Sequence, residues 1–259
     1  NAVGLGEVYP ALGSIEGSAL VDLEGALQFD RHGAKGILQA ELREGSFRVG
    51  DGGLAAEQVR IGVKFPDLPA LRTAPAQQLS VGILRIGEVE IHHIDSLFQL
   101  ESSGALFIEK IAGQWAGGRI FAGAFRLHSD RQEIETAIFC DRLELAEILS
   151  QLGLADAEGE GAVSGRIPLV YKDRELFVDE GFLYTTPGRE GVLQVSGSEH
   201  LTVNSPGEAP RLSPLHFAGA ALRDFEYDWA TLNILSEEDN LLLKLQIDGE
   251  PREKIPYRF

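Results

Sequence analysis

Apolar residues recur at every second position over most of the chain, and this period limits the structures that it can form. Residues 59–65, 79–83, 106–108 and 241–247 show the pattern. Successive side chains of a β-strand point to opposite faces, so this alternation places the apolar residues on one face. The sequence therefore predicts a mainly β protein with many half-buried strands.

Turn-forming residues separate these runs. Residues 51–53 read DGG, 102–104 read SSG, 116–118 read AGG and 238–240 read EDN. Short strands joined by such turns favour antiparallel neighbours over βαβ units, which need a helix between strands. We therefore expect one antiparallel meander.

Two short helices are predicted between the β runs. The first lies within residues 143–152, where apolar residues share a face and Gly153 follows as a C-terminal glycine. The second lies at about residues 214–222, with Ser213 as N-cap and Pro214 in the first helical position. No low-complexity linker interrupts the chain. We expect a single elongated region over residues 1–259, with a possible subdivision near 153–158.

Glycines inside predicted strands mark places where the sheet bends or where two backbones approach closely. Gly161, Gly165 and Gly181 are the clearest examples. A long sheet that curls needs such positions. Two architectures remain open, a curled sheet with one open apolar face and a closed β-sandwich, and alternation alone favours the sandwich.

The charge of the chain excludes some functions. Lys and Arg total 23 and Asp and Glu total 40, so the net charge is −17. An acidic surface repels phosphate backbones and anionic headgroups. Nucleic-acid binding and simple electrostatic docking to a membrane are therefore disfavoured.

The single cysteine, Cys140, cannot form a disulfide within the chain. It lies in an apolar, strand-like run, and no cluster of basic residues adjoins it to lower its pKa. We expect a buried structural thiol.

No residue pattern indicates a metal, cofactor or catalytic site. His92 and His93 are adjacent, and adjacent strand side chains point to opposite faces. Carboxylates such as Asp179 and Glu180 are abundant enough to pair by chance. Ser164 has neither both glycines of a nucleophile elbow nor a following helix. The sequence predicts no catalytic residue, no metal and no cofactor.

Several motifs together resemble the YdbH family, whose domain carries the label "dicarboxylate transport" and which belongs to the AsmA/TamB-like group. The resemblance covers about residues 79–259, and Arg189 departs from it where a second glycine is expected. The matching segments are GAVSGRIPLV at 161–170, DRLELAEIL at 141–149, DEGFL at 179–183 with PG at 187–188, ALRDFEY at 221–227, LLLKLQIDG at 241–249 and the WAGGR turn at 115–119.

This resemblance implies a long, U-shaped β-groove with an apolar floor. It implies a periplasmic protein, anchored to the inner membrane through an N-terminal segment outside this chain. The implied function is a bridge that holds phospholipid acyl chains between the inner and outer membranes. The implied partner is a small outer-membrane lipoprotein that adds a β-strand at the C-terminal region. We expect an open edge at residues 241–247, and the resemblance brings no catalytic residues.

Candidate groove residues follow from the alternating positions. We expect these side chains to contact acyl chains: Val59, Ile61, Val63, Phe65, Phe121, Phe125, Val163, Ile167, Leu169, Leu243, Leu245 and Ile247.

Two other functions compete with lipid transfer. A module that binds small dicarboxylates needs convergent basic side chains, whereas Arg119, Arg126 and Arg166 are scattered in sequence. A hydrolase on a β scaffold has only the abundance of carboxylates in its favour.

Overall fold

The computed structural model describes residues 15–31, 33–50, 53–68, 70–102, 104–128, 133–172, 175–186, 188–196, 222–237 and 240–252. Sixteen strands lie within these ranges. They are β1 (Ile15–Asp30), β2 (Gly33–Val49), β3 (Leu54–Phe65), β4 (Gln77–Ile86), β5 (Val89–Ser102), β6 (Ala105–Trp115), β7 (Gly118–Ala122), β8 (Phe125–His128), β9 (Glu133–Glu144), β10 (Asp156–Glu160), β11 (Ala162–Lys172), β12 (Glu175–Val178), β13 (Gly181–Thr185), β14 (Gly191–Ser196), β15 (Phe225–Glu237) and β16 (Asn240–Pro251).

The strands form one open antiparallel sheet, which confirms the predicted mainly β class. Their order is β1-β2-β3-β4-β5-β6-β7-β9-β11-β13-β15-β14-β10, while β12 pairs with β11, β16 with β15 and β8 with β6. Neighbours in the sequence are neighbours in the sheet from β1 to β7, as expected of a meander.

One helix, α1 (Leu145–Gln151), follows β9 directly. Its residues Leu145, Ala146, Ile148 and Leu149 are buried, as the predicted apolar face requires. Gly153 has φ +67° and donates its N–H to the carbonyl of Ser150 at 2.9 Å, so it ends the helix in the left-handed conformation. The second predicted helix, at about 214–222, falls almost wholly outside the described residues.

The chain divides into two compact units. Unit 1 comprises residues 1–114, 120–137 and 170–176, and unit 2 comprises residues 115–119, 138–169 and 177–259. The prediction of a single elongated region, with a subdivision near 153–158, stays a prediction.

Unit 2 has a well-buried core. Val163, Leu183, Leu193, Tyr227 and Leu232 are at most 1% exposed. Gly161 and Gly191 lie against the ring of Tyr227, where a Cβ on either would collide with it. The strand glycines thus permit close approach, one of the roles predicted for them.

Unit 1 has a transverse irregularity that crosses four neighbouring strands. One apolar cluster contains Ala56 and Val59 of β3 and Ile91 and Ile94 of β5. Residues three apart point to opposite faces in a regular strand, so the alternation must slip by one position in between. Left-handed residues lie at the slip in three strands: Glu44 in β2 (φ 53°), Gln58 in β3 (φ 56°) and His93 in β5 (φ 50°).

Candidate functional site

A continuous apolar face runs across unit 1. Because directly paired residues share a face, the register traces it from strand to strand. Val21 pairs with Leu42, which pairs with Ile61, which pairs with Leu79. We define the apolar face as Val21, Leu23, Leu27, Phe29, Leu38, Ala40, Leu42, Phe47, Val49, Leu54, Ala56, Val59, Ile61, Val63, Phe65, Leu79, Val81, Leu84, Ile86, Val89, Ile91, Ile94, Phe98, Leu100, Leu106, Ile108, Ile111, Phe125 and Leu127.

The slip of alternation keeps this face apolar along the full length of the strands. Val81 and Leu84 of β4 are three apart and belong to the same cluster. Between them lies Gly82, where a Cβ would collide with the side chain of Gln58 in β3. Without the slip, one half of each strand would turn its apolar side chains to the opposite face.

Two polar side chains share the rows of the apolar face, and both are satisfied by backbone groups. Gln77 is 7% exposed; its Oε1 accepts the N–H of Lys64 at 2.7 Å, and its Nε2 donates to the carbonyl of Pro75 at 2.9 Å. Ser96 is 4% exposed, and its Oγ donates to the carbonyl of Lys110 at 3.1 Å. Neither presents an unsatisfied polar atom to a ligand.

The opposite face of unit 1 carries the charges. Asp22 pairs in register with Glu41, and Arg43 forms an ion pair with Asp22. Arg85 forms ion pairs with Glu57 and Glu90, both at 2.7 Å. The side chains of Arg85, Glu57 and Glu90 are 35–40% exposed, so their ion pairs contribute little to stability. Their effect is to keep this face in water, so the sheet of unit 1 is amphipathic.

A cleft of about 890 Å³ lies within unit 1. Its lining includes Leu42, Ile61, Val63 and Leu79 of the apolar face and also polar neighbours such as Arg60. The cleft is a recess in the sheet that residues of the apolar face help to line.

The connection between β3 and β4 lies beside this cleft and is held by backbone groups of three strands. Leu68 donates its N–H to the carbonyl of Gly36 in β2, and Ala74 donates to that of Lys64 in β3. Thr73, which is 3% exposed, exchanges two hydrogen bonds with the backbone of Leu100 in β5, each 2.9 Å long. The connection therefore spans the ends of β2 to β5.

Exposure of the apolar face rises sharply at β1. Val21, Leu23, Leu27 and Phe29 are 54–75% exposed, whereas most other members are half-buried or buried. Among the described residues, β1 pairs with β2 alone. Within the described residues, the apolar face therefore ends at β1, where its side chains are exposed.

The structure brings five of the predicted groove residues together on this face. Val59 is buried, and Ile61, Val63, Phe65 and Phe125 are half-buried. Phe121 is 36% exposed and points away from the side of β7 that holds the buried Ile120 and Ala122.

The other predicted groove residues lie in unit 2. Val163 and Ile167 are buried and Leu169 is half-buried. Leu243, Leu245 and Ile247 are half-buried and pair with the buried Ile234, Leu232 and Ala230. Contact of these six residues with lipid stays a prediction.

Much of the apolar face was missing from the predicted set. The contributions of β2 and β5, such as Leu38, Phe47, Ile91 and Phe98, were not selected. Odd spacings, such as that between Ile91 and Ile94, hide the pattern when each run is read alone. Apolar residues three apart within one predicted strand were the signal available.

Cys140, His92 and His93 were the other residues considered for chemistry. Cys140 is 5% exposed, and burial raises the pKa of its thiol to about 12, which confirms the predicted buried thiol. His92 contacts Glu90 at 2.9 Å and His93 contacts Gln114 at 3.2 Å. Within the described ranges, no three His, Cys, Asp or Glu side chains are grouped to hold a metal ion.

Across the part of the chain that the structure describes, no helix has the length and apolarity that crossing a bilayer requires.

Comparison with known proteins identifies one family. The model of the YdbH-like family, described as intermembrane phospholipid transport protein YdbH, matches residues 3–253. No curated protein and no solved structure matches the chain.

Proposed function

The chain belongs to the YdbH-like family of intermembrane phospholipid transport, and from this premise we propose that the apolar face of unit 1 binds the acyl chains of phospholipids. The family match agrees with the lipid-transfer function expected from the sequence motifs. It concerns envelope lipid transport, not a known class of enzyme.

The observation that carries the proposal is the continuity of the apolar row across neighbouring strands, from Val21 through Leu42 and Ile61 to Leu79. The polar residues Gln77 and Ser96 in its rows are hydrogen-bonded to the backbone. Burial of an acyl chain gains about 0.8 kcal/mol per methylene group. A charged headgroup placed on the same surface would lose its hydration without a partner. The face therefore suits lipid tails, with the headgroups in water.

The amphipathic sheet of unit 1 also supports a groove. Charged side chains such as Asp22, Glu41 and Arg85 lie on one face and the apolar side chains on the other. An apolar sheet face of this size is rarely left exposed to water, so an apolar ligand or partner is expected to cover it. We propose that acyl chains supply this cover in a U-shaped groove, in which Val63, Ile61 and Leu79 line the cleft of unit 1.

The exposed end of the face at β1 gives this groove an accessible edge. Leu23, Leu27 and Phe29 are 60–75% exposed and belong to β1, which is the terminal strand of the sheet among the described residues. In our proposal acyl chains extend across this end.

A partner strand is proposed for the other edge. In the described ranges β16 pairs with β15 alone, which supports the expected open edge at Leu241–Ile247. Unpaired N–H and C=O groups at such an edge can accept a further strand. We propose that a small outer-membrane lipoprotein occupies it, and that an N-terminal segment outside this chain anchors the protein in the inner membrane.

The two alternatives have less support. A dicarboxylate site needs convergent Arg or Lys side chains, whereas the three basic residues in the cleft lining, Arg60, Lys64 and Lys110, come from β3 and β6 and pair with three different residues, Ser80, Gln39 and Leu97. A hydrolase needs facing carboxylates in a cleft, and the two carboxylates in the lining of the unit 1 cleft, Glu41 of β2 and Asp95 of β5, belong to strands separated by β3 and β4 in the sheet.

Native mass spectrometry of the purified chain tests the proposal. We expect phospholipid adducts that survive gentle ionisation, with the lipid identified after organic extraction. A lipid-free chain that also fails to bind fluorescent fatty acids would refute the proposed function. Binding of succinate or malate at micromolar concentration would favour the dicarboxylate alternative instead.

A further inference from the structure

Three aromatic side chains stand exposed on one face of unit 2. Phe182 and Tyr184 in β13 are 44% and 45% exposed, and Trp229 in β15 is 43% exposed. The rings of Phe182 and Tyr184 stack with centroids 5.8 Å apart and an interplanar angle of 27°. We call these three residues the aromatic patch.

The register places the aromatic patch opposite the core. In β13 the buried residues Gly181, Leu183 and Thr185 alternate with Phe182 and Tyr184. Tyr184 pairs with Thr231, which is two residues from Trp229 and so shares its face. The three rings therefore form a neighbouring group on the outer side of the sheet, not a scatter of single exposed residues.

Two basic residues lie in the cross-strand row of Phe182. Arg166 pairs with Phe182 across β11 and β13, and Lys244 pairs with Asn233, itself the partner of Phe182. Both basic side chains are exposed.

Carboxylates lie near Trp229. Asp248 pairs with Trp229, and beyond it Glu226 pairs with Glu250. Glu190 and Asp228 line the same recess, and Arg252 lies 3.6 Å from Asp224 and 3.9 Å from Glu226. The outer face of unit 2 thus changes from basic to acidic across the aromatic patch.

We propose that the aromatic patch docks on the surface of a bilayer of zwitterionic phospholipid. Tyr and Trp favour the membrane interface because their rings are apolar while their polar atoms reach water. Arg166 and Lys244 face lipid phosphates, whereas the rings and Asp248 face the ammonium groups, which aromatic faces attract. A purely anionic surface is disfavoured because the acidic chain is repelled by it.

Tryptophan fluorescence tests the docking directly. The chain has two tryptophans, and Trp115 is 8% exposed with its Nε1 donating to Gln151 at 2.9 Å. A blue shift on addition of phosphatidylcholine vesicles, with quenching by brominated lipid, therefore reports Trp229. We expect both signals, and we expect phosphatidylglycerol in the vesicles to weaken binding at low salt.

Variants separate docking from acyl-chain binding. Trp229→Ser with Tyr184→Ser should reduce vesicle sedimentation of the chain by about tenfold or more. Tyr171→Ser is the matched control, since Tyr171 is 43% exposed in β11, and should leave sedimentation unchanged. Val63→Arg, which alters the apolar face of unit 1, should keep vesicle docking, so the two proposals fail separately.

Several results would overturn the docking proposal. These are the lack of a fluorescence shift with phosphatidylcholine, equal sedimentation of the double variant and the parent chain, or binding confined to phosphatidylglycerol vesicles. A blue shift that depends on protein concentration without vesicles would show that the patch joins two copies of the chain, and would also overturn it.

Discussion

The side chain of Gln58 in β3 occupies the space beside Gly82 in β4, where a Cβ would collide with it. Gln58 has φ 56°, a left-handed conformation that costs a non-glycine residue about 1–2 kcal/mol. The pair lies in the transverse irregularity of unit 1, where the alternation of apolar and polar residues slips by one position. This local strain keeps Ala56 and Val59 on the same apolar face.

Substitution of Gln58 by Val should destabilise unit 1. A β-branched residue tolerates the left-handed region poorly, so we expect the free energy of unfolding to fall by about 1–3 kcal/mol in urea titrations. Arg60→Val, in an exposed position of the same strand, should change it by about 0.5 kcal/mol or less. Equal effects of the two substitutions would show that the backbone at Gln58 carries no special constraint.

Substitution of Gly161 by Ala should strongly lower the free energy of unfolding. The new Cβ would collide with the hydroxyl of Tyr227, and Gly161 has φ 142°. Overpacking in a buried site costs about 1–3 kcal/mol, and the backbone strain adds to it. Gly62→Ala is the control because a Cβ at Gly62 meets no atom within 4 Å. Urea midpoints that shift equally would contradict the packing described around Tyr227.

Removal of the Tyr227 hydroxyl should be tolerated or stabilising. This oxygen is buried without a hydrogen-bond partner among the described residues, and an unpaired buried hydroxyl costs about 1–3 kcal/mol. We therefore expect Tyr227→Phe to raise the free energy of unfolding by up to about 1 kcal/mol. Tyr184→Phe, at an exposed ring, should leave it within about 0.5 kcal/mol. Clear destabilisation by Tyr227→Phe would reveal a partner for the hydroxyl.

Stability should decline in alkali. Burial raises the pKa of Cys140 to about 12 and, with Glu144, raises that of Tyr227 to about 12. The unfolded thiol ionises near pH 8.5 and the unfolded phenol near pH 10. Between these values and pH 12 the folded chain binds more protons, so the free energy of unfolding falls as pH rises.

Urea titrations from pH 7 to pH 11 measure this decline. Cys140→Ala should remove the part that begins near pH 8.5, and Tyr227→Phe the part that begins near pH 10. A free energy of unfolding that stays constant up to pH 11 in the parent chain would contradict both assignments.

The sequence predicted the type of structure well because alternation is local. Residues 59–65 show period two, and Ile61 and Val63 lie on the apolar face as that pattern predicts. The role of Gly153 as the C-terminal glycine of α1 was also predictable, because its left-handed conformation depends on neighbouring residues.

The sequence could not show which strands share one apolar cluster. The slip at Gln58 and His93 changes the phase of the alternation within single strands, so Ile91 and Ile94 read as an irregular pair. Cross-strand register, not local pattern, places Leu42 beside Ile61. The burial of Val163 and Ile167 also depends on long-range packing in unit 2.

Acyl-chain binding by matched arginine variants tests the central claim most directly. Titration of a fluorescent fatty acid into the parent chain, Val63→Arg and Ser46→Arg gives three dissociation constants. Val63 lies on the apolar face, whereas Ser46 is exposed on the opposite face and pairs with Glu57. Circular dichroism and urea titrations establish that both variants fold.

A charge at the apolar face should cost about 2.5 kcal/mol against bound hydrocarbon. We therefore predict that Val63→Arg weakens binding at least about tenfold, while Ser46→Arg binds as the parent chain does. Equal affinities of a folded Val63→Arg and the parent chain would contradict the assignment of the apolar face of unit 1 as the acyl-chain site.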